Sequence, residues 1–315
     1  MTVSSEAAGF EALVQTLAPH SRLLRTWPLQ GGSSAQMTAL TFVRPDGETK
    51  IVIVRRIGER ALKQDPQAAE NEFRRLQLTQ ALGLATPTPL HLDVTGTIFP
   101  TPYLVIEYIA GRPEFTPNPN DDFTRQLATQ LANTHRAAGA GPDAAFLPKQ
   151  ATSYAENVGM RPVHVDASLE EGRIRDALER AWPLPQRNAP ALLHGDFWPG
   201  NVLWRDGQLV AVIDWEDAQL GEPLTDLAIS RLDMLWIFGS DAMHAFTQQY
   251  QSLMALDYAN LPYWDLYAAL RLVRLAGADL TAWAAFFAPF GRPDITEQTI
   301  RAHYARFVAQ AFAKL

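Results

Sequence analysis

The stretch Leu193-His194-Gly195-Asp196-Phe197-Trp198-Pro199-Gly200-Asn201-Val202-Leu203 decides how the rest of the chain is read. A second acidic cluster, Val212-Ile213-Asp214-Trp215-Glu216-Asp217, follows shortly after it. Apolar runs flank both, at Ala191-Leu192-Leu193, Val202-Leu203-Trp204 and Leu209-Val210-Ala211-Val212-Ile213. Short apolar runs bounded by Gly and Asp read as buried strands. Between two of them, Arg205-Asp206-Gly207-Gln208 carries an Asp-Gly turn signal, which predicts a hairpin. That hairpin brings Asp196, Asn201 and Asp214 close together. Two carboxylates and one carboxamide on rigid supports make a hard, oxygen-rich site, the ligand set that magnesium takes together with waters and phosphate oxygens.

Asp196 and Asn201 stand as D-x-x-x-x-N, with His194 two residues before the Asp. Protein kinases use H-R-D-x-x-x-x-N with a metal-binding Asp downstream; here Gly195 replaces the Arg. His-Gly-Asp-x-x-x-x-Asn followed by Ile213-Asp214-Trp215 resembles the aminoglycoside phosphotransferase and choline kinase-like family, small-molecule kinases with a protein-kinase-like fold. The resemblance implies an α+β chain of two lobes. Residues 1–109 would form a nucleotide-binding lobe, an antiparallel sheet with one helix, and residues 110–315 a mostly helical lobe carrying the catalytic hairpin.

Composition agrees with a globular protein of this size. The 315 residues suit one large or two coupled domains, and 47% of them are apolar. No apolar run reaches the roughly 18 residues of a membrane span. The start, Met1-Thr2-Val3-Ser4-Ser5-Glu6, has neither a basic n-region nor an apolar h-region, so a cytoplasmic location is the default expectation. The absence of cysteine removes disulfides, thiolate chemistry and cysteine–zinc sites. Residues 1–150 carry 14 Lys+Arg against 14 Asp+Glu, so the net charge of -7 belongs to residues 151–315, with 13 against 20. An acidic half argues against nucleic acid as a partner and is compatible with a cationic small molecule.

Upstream of the catalytic blocks, Phe10–Leu17 has apolar residues at helical spacing. Ala39–Val43 and Ile51–Arg55, joined through Pro45-Asp46-Gly47, predict a hairpin. Gln30-Gly31-Gly32-Ser33-Ser34 lies just ahead of it. Glycine lets a backbone approach phosphate closely, so Gly32, Ser33 and Ser34 are candidates to cover one, although no Walker A sequence is present. The resemblance places the cation for the α- and β-phosphates at Arg55, with Arg56 as the register alternative, because only one of two adjacent strand residues can face inward. The helical stretch 66–83 has Pro near its start, Gly near its end, and Phe73, Leu76, Leu78 and Leu82 as an approximate apolar face. Its Glu72 is the residue the family pattern pairs with Arg55, and Glu70 is the fallback. Strands fit Leu90–Val94 and Tyr103–Ile109. In the family the end of the second is the hinge, which assigns adenine contact to Glu107, Tyr108 and Ile109, mostly through main chain.

Past a Pro/Asn/Asp-rich loop at 116–121, Phe123, Leu127, Leu131, Ala132 and His135 lie on a helix, with His135 a core or capping residue. Residues 140–190 are weakly patterned, with one helix expected around Leu169–Trp182. Gly221-Glu222-Pro223-Leu224-Thr225-Asp226-Leu227-Ala228 matches the family's Gly-x-Pro-x-x-Asp-Leu-Ala turn, in which the Asp braces the catalytic loop. The remainder is mostly helical, at 242–256, 263–276, 281–287 and 296–313, and rich in aromatics.

The function implied is an ATP- and magnesium-dependent phosphotransferase that moves the γ-phosphoryl group to a hydroxyl of a small molecule, an amino alcohol, a sugar or an aminoglycoside-like compound. Asp196 would orient the hydroxyl, and Asn201 and Asp214 would hold metal. Arg55 and Glu72 would serve the phosphates, and His194 and Asp226 would hold the loop. Glu216, Asp217, Asp233, Trp236 and Asp265 are candidates for the substrate side, as acidic and aromatic groups suit a cation. Two other readings stand beside it, a kinase-like nucleotide-binding regulator with little catalysis and a protein kinase. Only a short turn separates Asp217 from Gly221, which disfavours the second.

Overall fold

A computed structural model describes residues 3–29, 35–117, 122–137, 144–277 and 279–315. The chain divides into two compact units, Met1–Ala110 and Gly111–Leu315. No helix among the described residues is long and apolar enough to cross a membrane.

In the first unit, α1 (Val3–Leu17) precedes β1 (Arg22–Pro28), β2 (Ala35–Val43) and β3 (Thr49–Ile57). Two helices, α2 (Glu59–Gln64) and α3 (Ala68–Ala81), lead to β4 (Pro89–Asp93) and β5 (Tyr103–Glu107). Among the described residues these strands form an antiparallel sheet in the order β1-β2-β3-β5-β4. Alternation along the strands sends Leu40, Phe42, Val52, Val54, Tyr103 and Val105 to a core shared with Phe10, Leu13 and Val14 of α1. The same alternation separates the two arginines of β3. Arg56 shares the face of Val54, donates to Glu6 of α1 at 2.5 Å and lies over the Phe10 and Phe99 rings. Arg55 points the other way, toward α3. Both are buried rather than solvated.

The buried stripe of α3 is Ala69, Glu72, Leu76 and Thr79, not Phe73, Leu76, Leu78 and Leu82. The helix turns Glu72 inward because a cation waits there, so an ionised residue takes a core position that hydrophobic counting gives to leucine. Strand β5 ends at Glu107, two residues before the expected Ile109, because its register with β3 runs out at Val52↔Glu107.

In the second unit, α4 (Phe123–Ala137), α5 (Gln150–Gly159) and α6 (Glu171–Ala181) come before the short strands β6 (Ala191–Leu193), β7 (Val202–Arg205), β8 (Gln208–Val212) and β9 (Gln219–Gly221). Then follow α7 (Leu224–Phe238), α8 (Ser240–Leu253), α9 (Leu261–Ala276), α10 (Thr281–Ala285) and α11 (Glu297–Phe312). Strands β7 and β8 form the hairpin expected from Asp206-Gly207, with positive φ at both turn residues (52° and 73°), the geometry of a type I′ turn. Strand β6 pairs with β9, closing the segment between them into a loop. Helix α7 is buried on nearly every side, which marks it as the centre of the unit. It carries Arg231, whose Nε and Nη2 donate to the two oxygens of Asp265 on α9 at 3.0 and 3.1 Å.

That pairing corrects one expectation. Asp265 does not face a substrate pocket; both its oxygens are taken by a buried arginine, and it ties α9 to α7. Asp257, another acidic residue of this region, pairs with Arg187 at the surface. Removing one member of a buried pair strands the other charge. Asp265→Ala is therefore expected to lower unfolding free energy by about 3–5 kcal/mol in urea titration.

Candidate active site

The centre of the site is the loop between β6 and β7, and a carboxylate from α7 holds it. Asp226 is inaccessible to solvent. Its Oδ2 accepts from the His194 backbone N–H at 2.7 Å and its Oδ1 from that of Gly195 at 3.0 Å. His135 Nε2 reaches Oδ2 at 3.3 Å, and His135 Nδ1 meets the Tyr250 hydroxyl at 2.6 Å. Because a carboxylate only accepts, the proton of that histidine bond lies on Nε2. Burial works to raise the Asp226 pKa, but the His135 and His194 contacts outweigh it and leave the carboxyl below its usual value.

Gly195 is at φ 84°, and a Cβ there would lie 2.4 Å from the Asp217 carbonyl oxygen, so no side chain fits. His194 is fully buried beside Trp215. Its Nε2 donates to the Ile213 carbonyl at 2.9 Å, while its Nδ1 accepts from the Asp196 N–H at 3.2 Å. This is the neutral tautomer, and desolvation by burial lowers the His194 pKa accordingly, against the nearby carboxylates. The ring is a strut between two acidic segments.

Asp196 is held from two sides. Asn201 Nδ2 donates to its Oδ2 at 3.1 Å and to its carbonyl at 3.0 Å. Arg271 Nη2, from α9, donates to its Oδ1 at 2.6 Å. The amide nitrogen of Asn201 is thus committed to Asp196, and the side-chain oxygen is the end suited to a cation. Ile213 N donates to the Asn201 carbonyl at 2.9 Å, fixing the backbone that leads into Asp214. Asp214 adopts the left-handed conformation (φ 66°, ψ 59°), a strained geometry for a side-chain-bearing residue and one that clusters at functional sites. The segment from Trp215 to Asp217 then forms one 3-10 turn carrying Glu216 and Asp217. Protein crowding and the Asp196 charge raise the Asp217 pKa, with Arg271 opposing.

Asp233, one helical turn along α7 from Ser230, is half-buried, and its Oδ1 accepts from Trp236 Nε1 at 2.9 Å. Desolvation, reinforced by the charge of Asp196 and opposed by Arg271 and Trp236, pushes its pKa up to about 7. Trp236 itself is 2% exposed and meets Phe287 edge-on at 4.9 Å. Its expected ring face for a cation is therefore core, and its contribution is the N–H that orients Asp233.

The first unit holds its own part of the set. Arg55 Nε lies 2.8 Å from Glu72 Oε1 and 2.9 Å from Oε2, and both side chains are buried. Glu107 Oε2 accepts from Thr88 N and Oγ1, and Tyr108 meets Trp27 edge-on. Gly32, Ser33 and Ser34 lie outside the described residues. Among the described residues no group of three or more His, Cys, Asp or Glu could hold a metal ion. A set of two ligands, as Asn201 and Asp214 would supply, suits magnesium because that ion keeps waters and takes phosphate oxygens.

Arg271 is a residue in contact with Asp196 that motif reading misses. A signal exists, since Leu270-Arg271-Leu272-Val273 places a cation in an apolar run, and a buried charge needs a counter-ion. Which carboxylate answers it depends on how α9 lies against the loop.

This geometry is of the protein-kinase-like type, and comparison with known proteins places the chain more closely. It belongs to the phosphotransferase enzyme family, whose model matches residues 29–286. The fold resembles that of a spectinomycin phosphotransferase solved with ADP and spectinomycin, at a TM-score of 0.64, 16% identity and 98% coverage of both chains. In sequence the chain is 22% identical over 239 residues to acyl-CoA dehydrogenase family member 11 of Pongo abelii, a match covering 66% of this chain and 30% of that protein. It is 26% identical over 197 residues to a homoserine kinase of Zymomonas mobilis subsp. mobilis, covering 58% and 57% of the two chains. The chain thus spans under a third of the first relative's length.

Asp226→Ala leaves two buried N–H groups without an acceptor, and about 3 kcal/mol of stability should be lost in urea titration. Asp233 has a folded pKa above its unfolded value, so the folded chain binds the extra proton between about pH 4 and 7, and stability falls as pH rises through that window. Asp233→Asn removes this dependence. Its Tm relative to wild type should rise more at pH 8 than at pH 5 in paired thermal melts.

Proposed function

We propose that the chain transfers the γ-phosphoryl group of ATP to a hydroxyl of a small molecule, with magnesium. The observation that carries the reading is Asp196, a carboxylate set on a braced loop with the Asn201 amide on one oxygen. Phosphoryl transfer asks a protein for positioning, charge neutralisation and an oriented nucleophile more than for covalent chemistry. Asp196 supplies the last. It accepts the hydroxyl proton as the oxygen attacks phosphorus and the bond to the β-phosphate oxygen breaks.

Asn201, through its side-chain oxygen, and Asp214 would hold magnesium, which when bound neutralises charge on the ATP phosphates. Arg55, charged at any working pH and locked by Glu72, has the planar donor fork suited to the α- and β-phosphates. The main chain of Glu107, Tyr108 and Ile109 would take the adenine, and Gly32, Ser33 and Ser34 would cover the phosphates. Glu216, Asp217 and Asp233 would face the acceptor. Acidic groups near the transfer point favour amino alcohols, aminosugars and hydroxy amino acids, and the similarity to a homoserine kinase supports including the last class.

The test is magnesium–ATP consumption across amino alcohols, sugars, aminoglycosides and hydroxy amino acids, run with wild type and Asp196→Ala. Loss of an electrostatic transition-state contact of this kind costs roughly 10²–10³ in rate. Asp196→Ala should lose at least that while still binding nucleotide in a titration. Undiminished turnover by the variant would sink the assignment.

A further inference from the structure

Both oxygens of Asp196 already accept a hydrogen bond. Asn201 holds Oδ2 at 3.1 Å and Arg271 Nη2 holds Oδ1 at 2.6 Å, so an incoming hydroxyl competes with the guanidinium for the shorter, charge-assisted contact. Each of these side chains keeps roughly a quarter of its surface exposed, unlike the closed Arg55–Glu72 and Arg231–Asp265 pairs. A guanidinium is charged at any working pH and cannot be left without an anion in a half-buried place. A second anion is at hand. Asp233 and Arg271 line one small cavity of about 10 Å³, close to the room one water needs. Asp233 interacts with both Arg271 and Asp196, and its carboxyl is pushed up to about 7 by desolvation and by Asp196. A guanidinium turning to Asp233 would find a carboxyl that its own charge helps to ionise.

We propose that Arg271 is a specificity-determining positioning residue that withholds Asp196 from water, releasing it to an acceptor large enough to move the guanidinium toward Asp233. This rests on the phosphotransferase reading above. A water molecule makes two or three hydrogen bonds and cannot displace a charge-assisted contact, whereas an acceptor brings the contacts of its whole skeleton. The reaction suppressed is hydrolysis. Water oxygen bonds to the γ-phosphorus, the bond from phosphorus to the β-phosphate oxygen breaks, and the water proton passes to Asp196 and on to solvent, giving ADP and phosphate.

The experiment needs no acceptor. Phosphate release from magnesium–ATP in water is measured for wild type, Arg271→Gln and Arg271→Lys, alongside nucleotide binding by titration calorimetry and a thermal melt. Arg271→Gln should raise hydrolysis roughly two- to fivefold, the order of freeing one partly exposed ion pair. Arg271→Lys, with one point charge in place of a fork, should give a smaller rise. If Gln prevents folding, Arg271→Met fills most of the same space and should give the Gln result. A folded, nucleotide-binding Arg271→Gln or Arg271→Met with unchanged or lower hydrolysis overturns the proposal, and a lower rate would mean that Arg271 supports the carboxylate instead. Wild-type protein that fails to bind magnesium–ATP overturns the phosphotransferase reading itself, a result the binding arm reports separately.

Discussion

The catalytic segment depends on one buried carboxylate. Asp226 takes the backbone N–H groups of His194 and Gly195 on its two oxygens, and a histidine and a tyrosine complete the chain behind it. Backbone donors in a loop without strand partners would otherwise be orphans in the interior, each costing on the order of 1–3 kcal/mol. Because α7 is the most enclosed helix of its unit, the carboxylate is as immobile as the core. The position of Asp196 is therefore set by packing at the two residues before it, His194 and Gly195.

The same logic runs through the other charges. Three of the arginines show it, each with an acidic partner on a different element: Arg55 with Glu72, Arg231 with Asp265, Arg271 with Asp196. The first two pairs are closed to solvent and hold their units together. The third is partly open, and its acid is the one that phosphoryl transfer would need. Three carboxylates, Asp196, Asp217 and Asp233, act on that single guanidinium and raise its pKa against the effect of burial. Burial first, and the neighbouring Asp196 charge second, shift Asp217 and Asp233 up.

Much of this was legible in the residues, for identifiable reasons. The β7–β8 hairpin follows from Asp206-Gly207, since few other pairs accept two positive φ angles. The contacts of Asp226 with the loop and of Arg55 with Glu72 were readable as a family pattern, because both rest on short stretches with fixed offsets. The inward face of α3 is not legible in the residues, because periodicity ranks hydrophobicity and assigns no partner to a glutamate. Trp236 and Asp265 read in sequence as substrate-side residues and are both buried. Aromatic and acidic residues on helices look alike in sequence whether they line a pocket or brace a bundle.

By itself the sequence determined the local conformations and the donor chemistry: which turns form, where strands and helices run, and that Asp196, Asn201 and Asp214 offer hard oxygens. Those properties belong to single residues and near neighbours, so a linear string carries them. The tertiary structure alone decided which charges meet. Arg271 stands 75 residues after Asp196, and only the approach of α9 to the catalytic loop puts its guanidinium on that carboxylate. Asp265 and Arg231, 34 residues apart, meet for the same reason. Desolvation and Coulomb energy depend on distance in space, and that distance is fixed when the helices pack.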